Sequence, residues 1–185
     1  ISSILLRKAP CPNTLRMIPV WPVRKSDSRI LCSFLARFLT RKDANYCYLS
    51  QKYSLQMTIE RCVNTCLLVD IWLEASAHGH DFVPLRLWLK AAHRMRTEYL
   101  PHSENYLCRD ESGDPLGFVS LTPGRIEALF VLPKFEGRGV GRSLLDFAKG
   151  LCPELTLSVF EKNGRALRFY RRNGFRVTGR GIDGY

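Results

Sequence analysis

The sequence predicts an α/β protein, in which strands and helices alternate along the chain and helices flank a sheet. The main observation is one unit, residues 125–151, where an apolar strand meets Pro133, a glycine-rich turn and a helix with apolar residues at helical spacing. Two further stretches, 65–77 and 84–99, also repeat apolar residues at helical spacing. A chain of 185 residues can form one substantial core and is short for two.

The remaining elements follow from alternation and from capping residues. Residues 58–63 alternate as a strand does, and Asn64 or Thr65 can cap the helix that runs to about Ala77. Pro84 opens the second helix, which runs to about Tyr99. The later elements are a hairpin of 105–109 and 116–121, a central strand over 125–132, a strand over 154–160, a helix over 163–173 and a strand over 175–179.

The charge is distributed unevenly along the chain. The net charge is +11, but residues 1–56 account for +8 of it and the rest for +3. The first stretch has several prolines and no element that pairs obviously with another. We therefore expect residues 1–56 to be a basic leader outside the domain, with the domain covering 57–185 and a natural start at Met57. A basic extension that binds RNA or a membrane is the alternative.

The glycine-rich turn at 137–141 has the features of an anion site. Gly137, Gly139 and Gly141 have no Cβ, so the backbone can approach a ligand closely and can adopt positive φ. The first N–H groups of the following helix have no internal partner and point outward. Arg138 and Arg142 add two positive charges, so a phosphate or pyrophosphate is the expected guest. A plain tight turn is the alternative.

Two blocks of sequence resemble the GNAT superfamily of acyl-CoA-dependent N-acetyltransferases. The family's pyrophosphate loop reads Gln/Arg-x-x-Gly-x-Gly/Ala, and here residues 136–141 read EGRGVG. Both glycines match, whereas Glu136 departs from the family's first position. The second block, residues 163–175, matches the family pattern N-x-x-A-x-x-F-Y-x-x-x-G-F at every marked position. The resemblance is to small bacterial members and covers roughly residues 57–185.

The resemblance implies a fold and a reaction. The fold is a mixed, mostly antiparallel central sheet flanked by helices, and we expect its last strand to be missing because the chain stops at Tyr185. The reaction is direct transfer of an acetyl group from acetyl-CoA, as co-substrate, to a primary amine of a small molecule or protein. The alternative is a catalytically degenerate CoA-binding module or a basic nucleic-acid-binding protein.

The resemblance also places the CoA site. In the family the central strand splays from its neighbour, and its free backbone groups hold the pantetheine arm. The helix start after the glycine turn takes the pyrophosphate, and a helix-capping asparagine contacts the CoA arm. A plain helix cap is the alternative role for Asn163, and both roles can hold. The corresponding CoA-binding residues here are Leu129, Phe130, Val131, Arg138, Gly139, Val140, Gly141, Arg142 and Asn163.

The resemblance suggests catalytic and acceptor residues as well. Tyr170 matches the tyrosine that can protonate the leaving thiolate, with a buried structural aromatic as the alternative. Glu127 is the candidate general base, with a solvent-facing strand residue as the alternative. His80 is a second candidate base, since its ordinary pKa suits neutral pH. The residues expected to shape the acceptor pocket are His80, Asp81, Phe82 and Trp88.

The composition bears on partners and surroundings. No apolar run reaches the length of a membrane span, so we expect no membrane partner and a cytoplasmic location. The seven cysteines are scattered without zinc-like spacing, so we expect reduced thiols and no metal. We do not expect a nucleic-acid partner for a domain of charge about +3. A homodimer is left open, and the sequence does not name the acceptor amine.

Overall fold

The structure is a computed structural model that describes residues 2–9 and 56–182. The strands are β1 (Ser2–Lys8), β2 (Thr58–Arg61), β3 (Glu104–Arg109), β4 (Pro115–Thr122), β5 (Arg125–Val131), β6 (Thr156–Phe160) and β7 (Phe175–Ile182). The α-helices are α1 (Thr65–Gly79), α2 (Leu85–Arg94), α3 (Val140–Leu151) and α4 (Gly164–Arg172). A π-helical turn, Met95–Tyr99, and a short 3-10 turn, Leu100–His102, follow α2.

The seven strands form one mixed sheet in the order β2-β3-β4-β5-β6-β1-β7. All neighbouring pairs are antiparallel except β5 and β6, which are parallel. The parallel pair is linked by α3, as a parallel connection requires a crossover. The prediction of a mixed, mostly antiparallel sheet flanked by helices is therefore confirmed.

The N-terminal strand β1 corrects one expectation. Residues 2–8 were expected to lie outside the domain, yet they pair with β6 on one side and with β7 on the other. Ile4 and Leu6 are buried while Leu5 is exposed, so the strand has an apolar face that packs in the core. The last strand of the sheet was expected to be missing, and β1 lies between β6 and β7. Residues 10–55 of the expected leader lie outside the described residues, and the boundary at Met57 stays a prediction.

The main core lies between the sheet and the first two helices. Trp72 of α1 and Trp88 of α2 meet edge to face, with ring centroids 5.3 Å apart. They pack with Phe118 of β4, which is fully buried. Burial of such large rings is among the strongest favourable terms in folding, so this cluster fixes α1 and α2 against the sheet.

The predicted second helix differs in its last turn. The sequence predicts one helix over 84–99, whereas the structure ends the α-helix at Arg94 and continues as a π-helical turn to Tyr99. A π turn widens the backbone and shifts the side chains that follow it. Tyr99 therefore lies on the cleft described below.

Candidate active site

An open cleft forms where β5 and β6 diverge. The two strands pair only at Arg125 with Thr156 and at Ile126 with Leu157. Past this point β5 continues through Leu129, Phe130 and Val131, which pair with β4 on their other side and line the cleft. The cleft is open to solvent and has a volume of about 1630 Å³, more than a typical small-ligand pocket.

The glycine turn brings the start of α3 to this cleft. Gly139 is the N-cap residue, with φ of 90°, and no side chain among the described residues caps the helix. Gly137 also has positive φ, at 74°. An uncapped helix start presents its first N–H groups and the positive end of its dipole, so it suits an anion. Gly139, Gly141 and Arg142 line the cleft at this end.

Glu136 precedes the turn, where the family pattern has Gln or Arg. Its carboxylate accepts a hydrogen bond from the guanidinium of Arg165 in the first turn of α4. The same carboxylate lies 3.8 Å from Nε2 of His78. The negative charge of Glu136 is therefore compensated by a cation from α4, which limits its repulsion of a neighbouring anion.

Tyr170 lies on the inner face of α4 and lines the cleft. Only 7% of its surface is exposed, and its ring contacts Phe169 and Phe175 edge to face. Burial raises the pKa of the Tyr170 phenol well above its usual value, because the phenolate would lose its hydration. The hydroxyl is therefore protonated throughout the neutral range.

Glu127 lies on β5 at an irregularity in its pairing with β4, where Ser120 pairs with Ala128 and Leu121 with Ile126. Its carboxylate accepts from Oγ1 of Thr122 at 2.7 Å and from Nε of Arg125 at 3.1 Å. The side chain is about one-third exposed and lines the cleft. The Glu127 carboxylate can therefore contact water, but it already forms an ion pair with the Arg125 guanidinium.

His80 is enclosed by aromatic rings. Its ring centroid lies 5.7 Å from that of Phe82, 5.4 Å from Trp88 and 5.3 Å from Phe160. Its Nδ1 is 3.2 Å from the carbonyl of Ser76, which belongs to α1. Burial lowers the pKa of His80, against smaller opposing effects of the Ser76 carbonyl and Asp81.

Asn163 links His80 to α4. Its side-chain oxygen accepts from the N–H of Ala166 at 2.9 Å and so caps the helix. Its side-chain nitrogen lies 3.0 Å from Nε2 of His80. The capping role expected from the sequence is present, and Asn163 also lines the cleft.

The cleft gathers most, but not all, of the residues expected at the site. Asp81 and Phe82 follow His80, and neither lines the cleft, although Phe82 packs against the His80 ring. Val140 is buried in the core, and the Arg138 guanidinium lies over the Phe135 ring. These last two can contribute to an anion site through their backbone N–H groups. The expected residues that line the cleft are Glu127, Leu129, Phe130, Val131, Gly139, Gly141, Arg142, Asn163, Tyr170, His80 and Trp88.

Sequence reasoning missed the rim on the α2 side. Lys90, Arg94 and Tyr99 line the cleft, and all three are exposed. The Arg94 guanidinium donates to Glu98 at 3.0 Å and to the Tyr99 hydroxyl at 3.1 Å. A signal was present, since α2 and the π turn together hold four Lys and Arg, at 86, 90, 94 and 96, against one acidic residue, Glu98, but the sequence did not show which of them face the cleft.

Two other expectations concern metals and membranes. Within residues 2–9 and 56–182, no group of three or more His, Cys, Asp or Glu is placed to hold a metal ion. In the same ranges, no helix is long and apolar enough to cross a membrane. The described cysteines, at 62, 66, 108 and 152, are free thiols.

Comparison with known proteins identifies close relatives. A family model described as an acetyltransferase (GNAT) domain matches residues 101–177. The chain is 36% identical over 112 residues to the peptidyl-lysine N-acetyltransferase YiaC of Escherichia coli (strain K12), a match that covers 60% of this chain and 76% of that protein. It is 37% identical over 113 residues to the peptidyl-lysine N-acetyltransferase YjaB of the same strain, covering 61% and 76%.

Solved structures agree with this fold. The solution structure of apo-form YjaB from Escherichia coli matches with a TM-score of 0.61 and 34% identity, covering 68% of this chain and 86% of that one. A PaiA N-acetyltransferase from Thermoplasma acidophilum, solved in complex with coenzyme A, matches with a TM-score of 0.61 and 16% identity. The second match covers 70% of this chain and 94% of that one, and supports the fold alone.

Proposed function

Because this chain belongs to the GNAT acetyltransferase family, we propose that it transfers the acetyl group of acetyl-CoA directly to a lysine side chain of a protein. Both substrates would occupy the cleft together. CoA would enter from the side of α3 and α4, and the acceptor from the side of α1 and α2.

One observation carries this proposal, namely the uncapped start of α3 beside the divergence of β5 and β6. The start of α3 offers N–H groups and positive charge for a pyrophosphate. Past Ile126, β5 has an edge that β6 does not cover, where a pantetheine arm can bind main-chain groups.

The chemistry follows from the groups around the cleft. The lone pair of the acceptor amine attacks the thioester carbon, a C–N bond forms and the C–S bond breaks. The thiolate takes a proton from the Tyr170 hydroxyl, and the phenolate that remains, which burial disfavours, regains a proton from solvent through the open cleft. The proton lost by the amine passes to Glu127, directly or through water, and from there to solvent.

The rim of the cleft supports a protein acceptor. Two relatives are named peptidyl-lysine N-acetyltransferases. On this chain Leu87, Lys90 and Tyr99 are exposed at the acceptor side, which gives a rim of mixed apolar and cationic character. A polypeptide can cover such a rim with several residues, whereas a small amine cannot.

The test is a direct one. Acetyl-CoA is titrated calorimetrically into the protein, which is then incubated with acetyl-CoA and lysine-containing peptides, and acetylation is read by mass spectrometry. We expect a dissociation constant between about 1 μM and 1 mM and a mass gain of one acetyl group on lysine. Binding without transfer to any peptide or free amine would indicate a CoA-binding module, and salt-sensitive RNA binding without CoA binding would indicate the basic nucleic-acid-binding alternative.

A further inference from the structure

The side-chain amide of Asn163 has only one orientation that satisfies both of its neighbours. Its oxygen must face the N–H of Ala166, at 2.9 Å, because two donors facing each other would repel. Its nitrogen, which can only donate, then faces Nε2 of His80 at 3.0 Å. Nε2 must therefore be the acceptor and must lack a proton.

The other ring nitrogen of His80 completes the assignment. Nδ1 lies 3.2 Å from the carbonyl oxygen of Ser76, which can only accept, so Nδ1 must carry the proton. Every group in the series is then satisfied, from the Ser76 carbonyl through His80 and Asn163 to the N–H of Ala166. The series joins the last turn of α1 to the first turn of α4 across 83 residues of sequence.

We propose that His80 is a positioning residue, whose neutral Nδ1–H tautomer holds Asn163 and the start of α4 in place, and that protonation of the ring breaks this link and weakens acetyl-CoA binding. The proposal rests on the proposed function, because it assumes that acetyl-CoA binds beside Asn163. Under this proposal His80 does not act as the general base, because both of its ring nitrogens are already hydrogen-bonded and neither is free to take a proton from the acceptor amine.

Protonation would affect the whole series. An imidazolium has two N–H donors, so Nε2–H would meet the donor side of the Asn163 amide. The Asn163 amide could rotate by half a turn to offer its oxygen to Nε2–H of His80. Its nitrogen would then face the N–H of Ala166, and the cap of α4 would be lost. Either outcome releases the first turn of α4, which lines the cleft through Asn163, Arg165 and Ala166.

The surroundings favour the neutral ring. Three aromatic rings enclose His80, and burial outweighs the groups that favour the cation, so its pKa lies below the ordinary value for histidine. The unfolded chain thus binds the proton more readily than the folded chain, and the neutral link is lost only as pH falls below the ordinary histidine range. The polar groups that contact the ring nitrogens are the Ser76 carbonyl of α1 and the Asn163 amide, and Asp81 is the charged group that acts on the ring. On the elements packed nearby, the charged groups are Lys162, above the Phe82 ring, and the Arg165–Glu136 pair at the start of α4.

The experiment compares variants of His80 at two pH values. Acetyl-CoA is titrated into the full chain at about pH 7.5 and about pH 5.5. For the wild type we expect affinity to fall about three- to tenfold more than for His80→Gln, whose amide can donate to Ser76 and accept from Asn163 without titrating. Comparison with His80→Gln also corrects for titration of the cofactor's own phosphates, because these affect the two proteins equally. His93→Gln, at an exposed histidine on α2, should retain the wild-type pH dependence.

A second measurement reads the tautomer itself. Nitrogen-15 NMR of the labelled protein at about pH 7.5 distinguishes protonated from unprotonated ring nitrogens, and we expect Nδ1 protonated and Nε2 unprotonated in His80. An Nε2–H tautomer or an imidazolium would overturn the proposal, as would equal pH dependence in wild type and His80→Gln. If the wild type fails to bind acetyl-CoA at about pH 7.5, the proposed function fails instead, and the tautomer still tests the link.

Discussion

Two helices begin at the same cleft, and their first turns are built differently. At the start of α3 the N-cap is Gly139, in the left-handed region, and no side chain in the described part of the chain caps the helix. At the start of α4 the N-cap is Asn163, whose side chain accepts from Ala166 and is itself held by His80. The first helix leaves its N–H groups to a ligand, whereas the second satisfies them within the protein.

The charges beside the two helix starts follow the same division. Arg142 in the first turn of α3 is three-quarters exposed and has only a 3.4 Å contact with Asp146. Arg165 in the first turn of α4 is paired with Glu136. Under the proposed function, α3 would bind acetyl-CoA through its main chain, while α4 would act through its side chains, above all Tyr170. Each prediction below tests one half of this division.

The largest effect is expected at the catalytic end of α4. Tyr170→Phe removes the proton donor, so kcat should fall about 100-fold while the affinity for acetyl-CoA stays within about twofold. Because the pKa of Tyr170 is raised, kcat of the wild type should show no loss from ionisation of this phenol between pH 7 and pH 9.

A matched control is Tyr106→Phe. The Tyr106 hydroxyl donates to Glu104 on β3, and Tyr106 does not line the cleft. We expect this variant to keep the wild-type kcat. Equal losses in the two variants would mean that the Tyr170 hydroxyl acts through stability and not through proton transfer.

The next effect concerns the open start of α3. Gly139→Val should weaken acetyl-CoA binding about 30-fold or more, because a β-branched residue is strained at φ of 90° and its side chain would stand at the mouth of the anion site. Gly150→Ala, near the other end of the same helix, meets no atom within 4 Å and should leave binding unchanged. Calorimetric titration of both variants measures the difference, and similar affinities would count against the main-chain site.

A smaller effect separates capping from binding at α4. Asn163→Ala should lower the free energy of unfolding by about 1 kcal/mol and weaken acetyl-CoA binding severalfold. Asn64→Ala removes a cap of the same kind from α1, where the Asn64 side chain accepts from the N–H of Leu67. It should cost a similar free energy in denaturant unfolding without changing acetyl-CoA affinity. If both variants bind acetyl-CoA like the wild type, Asn163 is only a cap.

The smallest effect is expected at the acceptor rim. Lys90→Glu changes an exposed charge that lines the cleft near α2, far from the glycine turn in sequence. The measured quantity is kcat/KM for a lysine peptide with acidic neighbours divided by kcat/KM for one with basic neighbours. This ratio should fall about threefold in the variant, while the affinity for acetyl-CoA stays unchanged. Comparing initial rates on the two peptides measures this ratio, and an unchanged ratio would remove Lys90 from the acceptor site.

The order of elements and the position of the glycine turn at a helix start were predictable because their signals are local. Helical spacing, strand alternation, the glycine turn and the Asn163 cap each depend on neighbours a few residues away, and the two family blocks preserve them. Residues 2–8 hold a short apolar run, Ile4 to Leu6, without alternation. Such a run could not reveal that this strand would lie between β6 and β7, because it does not specify which strands are partners.

Contacts between distant residues account for what was missed. The pairing of Glu136 with Arg165, and of His80 with Asn163, depends on how α1, the glycine turn and α4 meet in space. Side-chain partners over such separations are set by the tertiary fold. The contacts of Glu127 are local by contrast, since Arg125 and Thr122 lie two and five residues away in sequence, but they depend on how β4 and β5 pair.

The central claim is that α3, and not α4, offers its backbone N–H groups to the pyrophosphate. The most direct measurement is the change in backbone amide NMR shifts when acetyl-CoA is added to the nitrogen-15-labelled protein. We predict the largest changes at residues 139–143 and smaller ones at residues 164–167, whose first turn is already capped. Saturable binding with the largest changes at 164–167, and none at 139–143, would contradict the account.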